Sequence, residues 1–211
     1  MAPIAMLNGL WFDPDGGAQR YYSGYGPAVA PILAEVGADV IFPFLELDQA
    51  LEGGFDPSVF GLVRDPSAEA FDEMWASERY GEVAPLRAGA LEKAVLTRCA
   101  IEPHDAGPPE LMPGVVVLNL LWLRPGGRER YDEYLTAVAP VVEGIGGRLL
   151  SPRFVPDRAV EGDLLPDLLF IGNYPSLDAV MEMTASDAYR GPAELREAAV
   201  ERSMTTTLRV P

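Results

Sequence analysis

The chain has 211 residues, with 16 Lys and Arg against 32 Asp and Glu and a formal charge of −16. That excess of negative charge repels phosphate backbones and anionic lipid surfaces, which excludes nucleic acid and membrane as expected partners. A single cysteine, a single histidine, no basic leader and no run of about 18 apolar residues leave no internal disulfide, no zinc-type ligand set and no membrane span, so a cytoplasmic protein is expected.

Residues 4–12 form an apolar strand, and residues 19–36 carry the apolar spacing of an amphipathic helix. Strands at 38–47 and 58–64, helices at 67–76 and 78–92 and a strand at 93–100 follow. Cys99 falls in that last apolar run as a small buried filler. Asp13-Pro14-Asp15-Gly16-Gly17 has the start of a calcium loop but lacks its later carboxylates. Residues 102–114 are polar and proline-rich, a natural boundary between domains at 1–101 and 115–211.

The order then repeats. Val115 to Leu123 is a buried strand closed by Arg124-Pro125-Gly126-Gly127, and a helix runs from Arg128 to Gly144 until Gly146-Gly147 stops it. Pro140, like Pro31, stands inside its helix and predicts a kink. Strands at 148–155 and 168–174 flank a loop at 157–166. Ser176 and Asp178 open a further helix, as Ser67 and Glu69 do earlier. A helical stretch from Ser186 to about Arg202 and a strand at 204–210 end the chain.

Asn8 and Trp11 recur as Asn119 and Trp122, 111 positions on. Tyr22, Tyr25, Pro31, Gly37, Glu52-Gly53, Pro66-Ser67, Tyr80 and Arg87 recur 109 positions on, as Tyr131, Tyr134, Pro140, Gly146, Glu161-Gly162, Pro175-Ser176, Tyr189 and Arg196. A shared offset with one slip in the loop after the first strand predicts two copies of one folding unit. The fold class is therefore α+β, two ferredoxin-like βαββαβ repeats. Their bare sheet faces are expected to pack on each other as an intrachain pseudo-dimeric α/β barrel enclosing a chamber. Pairing of such pseudo-dimers into a homodimer is left open.

The second repeat, through Tyr131, Tyr134, Pro140, Gly146-Gly147-Arg148, Glu161-Gly162, Tyr174-Pro175-Ser176, Ala185-Ser186-Asp187-Ala188-Tyr189 and Leu195-Arg196, resembles the domain-of-unknown-function family 1330 of the dimeric α/β-barrel superfamily. The first repeat looks like a diverged copy, with Asp39 where Arg148 stands and Asp65 where Tyr174 stands. The resemblance implies a fold and a range of activities: cofactor-free monooxygenases acting on aromatic polyketides, polyketide cyclases, lactone isomerases, haem enzymes and ligand-binding regulatory domains.

His104 lies in the linker, so neither a core haem ligand nor an imidazole-assisted nucleophile is expected. Asn8 and Asn119, polar in apolar strands, are either satisfied by a neighbouring strand or aimed into a cavity. Alternation sets Trp11 and Trp122 on the face opposite their asparagines, packed under helices or lining a pocket. Arg148 and Arg196 are candidates to hold an oxyanion, with Tyr174 or Tyr189, their pKa shifted downward, relaying a proton. Asn119, Asn8, Tyr22, Tyr131, Tyr134, Arg153 and Trp122 are candidate substrate contacts. The bland alternatives pair Arg196 and Arg87 with helix carboxylates (Glu194, Glu197 or Glu82) and Asp39 with Arg148. The expected function is a cofactor-independent enzyme moving a proton beside the carbonyl of a hydrophobic or aromatic metabolite, by isomerisation, cyclisation or oxygenation, with secondary metabolism as a setting. The alternative is a non-catalytic module that binds or sequesters a small ligand.

Overall fold

Residues 4–10 are all buried, which requires cover on both faces of the strand they form; β1 (Ile4–Phe12) accordingly runs between two antiparallel neighbours. A computed structural model describes residues 2–210. After β1 come α1 (Gly17–Arg20), a π-helical turn (Tyr21–Tyr25), α2 (Gly26–Val36), β2 (Asp39–Glu52), β3 (Val59–Asp65), α3 (Ala68–Trp75), α4 (Glu78–Ala88) and β4 (Leu91–Glu102). The second half continues with β5 (Val115–Leu123), α5 (Gly127–Gly144), β6 (Arg148–Leu149), β7 (Arg153–Glu161), β8 (Leu168–Tyr174), α6 (Leu177–Ala185), α7 (Asp187–Ala199) and β9 (Val200–Arg209). The protein is α+β with antiparallel strands. Among the described residues no helix is long and apolar enough to cross a membrane.

The chain divides into two compact units, and each draws on both halves of the sequence. Among the described residues the first holds 2–44, 57–108 and 156–165; the second holds 45–56, 109–155 and 166–210. In the first, β1 pairs with β3 and β4, with Ile4 opposite Asp65 and Asn8 opposite Gly61. In the second, β5 pairs with β8 and β9, with Val115 opposite Tyr174 and Asn119 opposite Phe170. The offsets of 111 and 109 read in the sequence are thus the ladder registers of the two units.

The borrowed segments correct two expectations. The predicted strand at 38–47 runs on to Glu52, because residues 47–52 pair with β9 in the second unit. The predicted loop at 157–166 is instead extended chain as far as Glu161. It is held in the first unit by Arg98 on Asp157 (2.8 Å), Arg158 on Asp72 (3.1 Å) and the Thr97 hydroxyl on the Leu164 carbonyl (2.7 Å). Its polar, partly exposed residues show no period-2 alternation, and all these partners lie 59 to 86 residues away. The predicted strand at 148–155 is also split, into β6 and the start of β7.

Helices cover one sheet face in each unit. Ile4, Met6 and Leu10 meet Val29, Ile32, Phe71, Met74 and Tyr80 in the first; Val115 and Val117 meet Val138, Val142, Tyr174, Val180 and Met183 in the second. Ser67, Ser77, Ser176 and Ser186 each cap a helix by accepting from the backbone N–H three residues on. Asp13-Pro14-Asp15-Gly16 is a turn into α1, where Asp13 accepts from the Asp15 N–H and pairs with Arg20. Gly17 starts that helix against the backbone: a Cβ there would lie 2.3 Å from the Ala90 carbonyl, as one on Gly127 would from Ala199. Gly17→Ala is expected to destabilise by about 1–3 kcal/mol, measured by urea unfolding, because a carbonyl cannot move aside as a side chain can.

Candidate functional site

A cavity of about 300 Å³ lies in the first unit between its helices and its sheet. Its wall is mostly apolar and aromatic, including Met6, Val29, Phe44, Phe71, Met74 and Trp75, with Asn8, Asp65, Tyr21, Tyr22, Tyr25, Tyr80 and Arg87 as the polar members. Few polar groups set in an apolar wall is the pattern of a small-molecule site.

The two units differ at one ladder position on this wall. In the second unit the Tyr174 ring fills the corresponding space so tightly that a Cβ on Gly147 or Gly172 would come within 2.9 and 2.7 Å of it. At the same ladder position the first unit has Asp65, which is too short to fill that space. Asp65 is 1% exposed, and its Oδ1 has no hydrogen-bond partner. Burial, with a contribution from the Asp39 charge, raises its pKa to about 7.

A second polar group stands on α4. Arg87 is 7% exposed; its Nη1 donates to Glu161 at 2.6 Å, and its Nη2 has no partner. Burial works against its charge, but Glu161 more than offsets this and the pKa goes up. Burial pushes the Tyr25 and Tyr80 phenols up, which leaves them protonated at neutral pH. Ser77, capping α4 through the Tyr80 N–H at 3.1 Å, places Tyr80 one turn along the helix from its start.

The helix over the cavity carries an inserted residue. Gly17 and Gly127 begin their helices in the same way, yet Tyr25 lies eight residues on and its counterpart Tyr134 only seven. The extra residue makes the π-helical turn Tyr21–Tyr25, where α5 is an unbroken α-helix. As a result Tyr21, not Tyr22, takes the place of Tyr131: the Tyr21–Tyr25 rings are 5.1 Å apart at 47°, and Tyr131–Tyr134 are 5.2 Å apart at 47°. Single-residue π turns of this kind occur often at functional sites. The slip read as one loop change is thus two insertions, one in the turn before Gly17 and one in the helix.

The candidates from sequence scatter by comparison. Asn8 lines the cavity and donates to the Met6 carbonyl at 2.9 Å, and Tyr22 lines it with 52% of its surface exposed. The other nine lie in the second unit. Arg148 is exposed on β6; Arg196 donates to Ser203 and pairs with Glu52 at 3.8 Å; Arg153 pairs with Asp132. Tyr131 and Tyr174 are buried, and Tyr134 and Tyr189 bond through their hydroxyls at 3.3 Å. Burial moves the Tyr131, Tyr134 and Tyr174 phenols up rather than down. Asn119 accepts from Thr205.

The partners expected for the arginines also change. Arg87 and Arg196 bind Glu161 and Glu52, the repeated Glu-Gly positions on the borrowed segments, not helix carboxylates. The glycines that follow, Gly53 and Gly162, have φ of 72° and 73° and lie against Ser203–Met204 and Ala94–Val95, an approach only glycine permits. Asp39 pairs with Arg64 at 2.9 Å, not with Arg148. Trp11 and Trp122 are not under the helices: Lys93 and Arg202, their cross-strand neighbours, stack on the rings at 4.4 and 3.9 Å.

The cavity-lining polar residues Asp65, Arg87, Tyr80 and Tyr21 were therefore not grouped together from the sequence. The available signal was Asp65 itself, an acidic residue replacing an aromatic one at a strand end in only one repeat. The lining residues offer no imidazole or thiol for an axial haem ligand: His104 is exposed in the linker and Cys99 is buried on β4 outside the wall. Among the described residues no three of His, Cys, Asp and Glu converge as metal ligands.

A family described as "Domain of unknown function (DUF1330)" matches residues 123–207. No curated protein matches by sequence. Solved structures similar to the chain include a monooxygenase-like protein from Lactobacillus acidophilus NCFM, 12% identical, with a TM-score of 0.58, covering 99% of this chain and 93% of that one. An anthrone oxidase-like protein is 14% identical with a TM-score of 0.56 over 100% and 92%. A chlorite dismutase-like protein is 11% identical with a TM-score of 0.59 over 100% and 95%. At these identities the likeness is one of fold.

Proposed function

We propose that the first unit is a cofactor-independent active site for a hydrophobic or aromatic carbonyl compound, with Asp65 as the base. The observation that carries this reading is a pair of buried, incompletely bonded polar groups, Asp65 Oδ1 and Arg87 Nη2, on the wall of one apolar cavity. A carboxylate with a pKa of about 7 is half ionised at neutral pH and is suited to accept a proton from carbon beside a carbonyl. The electrons of the broken C–H bond move onto the carbonyl oxygen, where Arg87 Nη2 and a tyrosine hydroxyl can donate to it. Return of the proton to a different carbon completes an isomerisation. Attack of the enolate on a second carbonyl gives cyclisation, and its reaction with O₂ gives oxygenation.

The reading moves the chemistry from the second repeat to the first. Arg87, Tyr80 and Asn8 take the roles expected of Arg196, Tyr189 and Asn119, and Asp65 replaces Tyr174 as the proton acceptor. Descent of the two halves of the sequence, divided at the 102–114 linker, from one duplicated domain belongs to the same proposal and would explain why only one copy needed to keep a site.

The test is a panel of aromatic ketones, anthrones and polyketide-like compounds, followed by colour change, oxygen uptake and melting shift. Asp65→Asn is expected to lower turnover about 10²–10⁴-fold. Full turnover in that variant would remove Asp65 from the chemistry. Saturable one-to-one binding with no turnover by the wild type would favour the ligand-binding alternative.

A further inference from the structure

Resting on that reading of the site, we propose that the cavity selects an uncharged carbonyl compound over a carboxylate of the same shape, and that Glu161 enforces the selection. Among the described lining residues Arg87 is the one cation. Its charge is already matched by Glu161 at 2.6 Å, a contact made by the buried guanidinium with a carboxylate that is itself 39% exposed at the rim. Asp65 adds a second negative charge to the wall, and its neighbour Asp39 is itself neutralised by Arg64. With Asp65 ionised, the three groups Arg87, Glu161 and Asp65 sum to one negative charge.

A ligand carboxylate would add another negative charge to a low-dielectric wall whose cation is already paired. A ketone or enol oxygen accepts from Arg87 Nη2 without changing the charge of the site, and its α-hydrogen faces a base rather than a repelling anion. Arginine in a cavity is usually taken to signal an acidic ligand. The Glu161 contact reverses that expectation here, because it leaves the guanidinium a free N–H but no uncompensated charge. Glu161 does not line the cavity, so it acts through Arg87 as a positioning and charge-setting residue.

The test uses the full-length protein at pH 8 and calorimetric titration with 2-acetylnaphthalene and 2-naphthoate, a matched neutral and anionic pair. The wild type is expected to bind the ketone at least about tenfold more tightly, the scale of one unit charge at several ångströms inside a protein. Glu161→Gln is expected to raise naphthoate affinity about tenfold while ketone affinity stays within about twofold; a merely structural role for Glu161 would weaken both equally. Asp65→Asn, which removes the other negative charge, should shift selectivity the same way and carries the test if Glu161→Gln does not fold. Equal binding of both compounds by the wild type, or a parallel loss of both in the variants, overturns the selection while leaving the site standing. Failure of the wild type to bind either compound removes the site itself.

Discussion

Asp65→Asn is expected to melt about 5–10 °C above the wild type at pH 8 and to show no such gain at pH 4. The carboxyl is 1% exposed, and its pKa is raised from 3.8 to about 7. A raised acid stabilises the fold fully below its unfolded pKa, and that contribution is lost as pH rises through the folded value. For Asp65 the window is therefore about pH 4 to 7. At pH 8 the folded protein carries a buried, unpaired charge that the unfolded chain hydrates freely, a penalty of about 3–4 kcal/mol for a shift of this size. Asparagine removes the charge at nearly the same volume. Its amide N–H₂ is left needing a partner, which returns about 1 kcal/mol of the gain. At pH 4 the wild-type carboxyl is itself neutral, so only the amide cost remains and the variant should melt no higher than the wild type. A stabilised protein that has lost its turnover would mark Asp65 as a group kept for chemistry at the expense of the fold. Equal melting of the two proteins at pH 8 would place the carboxyl in contact with solvent.

The opposite exchange, Tyr174→Asp, should be the most damaging single change in the second unit. Its ring is buried against the glycine positions 147 and 172 and belongs to the cluster of Val115, Val117, Val138, Val142, Val180 and Met183. Losing an aromatic ring from such a core costs about 3–5 kcal/mol, since the packed valines cannot collapse into the space. The new carboxyl would be buried too, so the loss should deepen as pH rises from 4 to 8. A fall in melting temperature of about 10 °C or more at pH 8, smaller at pH 4, is the expected result. A well-folded Tyr174→Asp protein that also gained an apolar ligand site would show that this one position separates the filled unit from the hollow one. A negligible change in melting would mean that Tyr174 is not packed as described.

Much of the architecture could be read from residue types and spacing, for local reasons. Strands β1 and β5 are nearly continuous apolar runs, and the serines that open α3, α4, α6 and α7 act over three residues. The paired offsets carried through to equivalent ladders because strand register is set by which residues must face the core. The borrowed segments could not be read this way. Leu45–Asp56 and Pro156–Leu165 take their partners from the other half of the sequence, and no local pattern records an interaction at such distances.

The site was hidden for a different reason. Asp65 and Asp39 looked like decay in a diverged copy, yet Asp65, at the position where the second unit has Tyr174, is a wall residue of the cavity. The inserted residue behind the π-helical turn looks in sequence like ordinary loop drift, because an insertion inside a helix keeps the helical composition on either side of it. The tyrosines were singled out as a group, but a one-residue shift decides which of Tyr21 and Tyr22 is the buried one, and composition carries no trace of that shift.

The traded segments also constrain how this gene can be taken apart. A cut near residue 108 yields two fragments of similar length, yet the first lacks the stretch that brings Glu161 to Arg87, and the second lacks the one that brings Glu52 to Arg196. Neither fragment holds all the parts of a unit. The two halves can therefore differ in their interiors, as Asp65 and Tyr174 do at one ladder position, but recombination cannot shuffle them as separate modules.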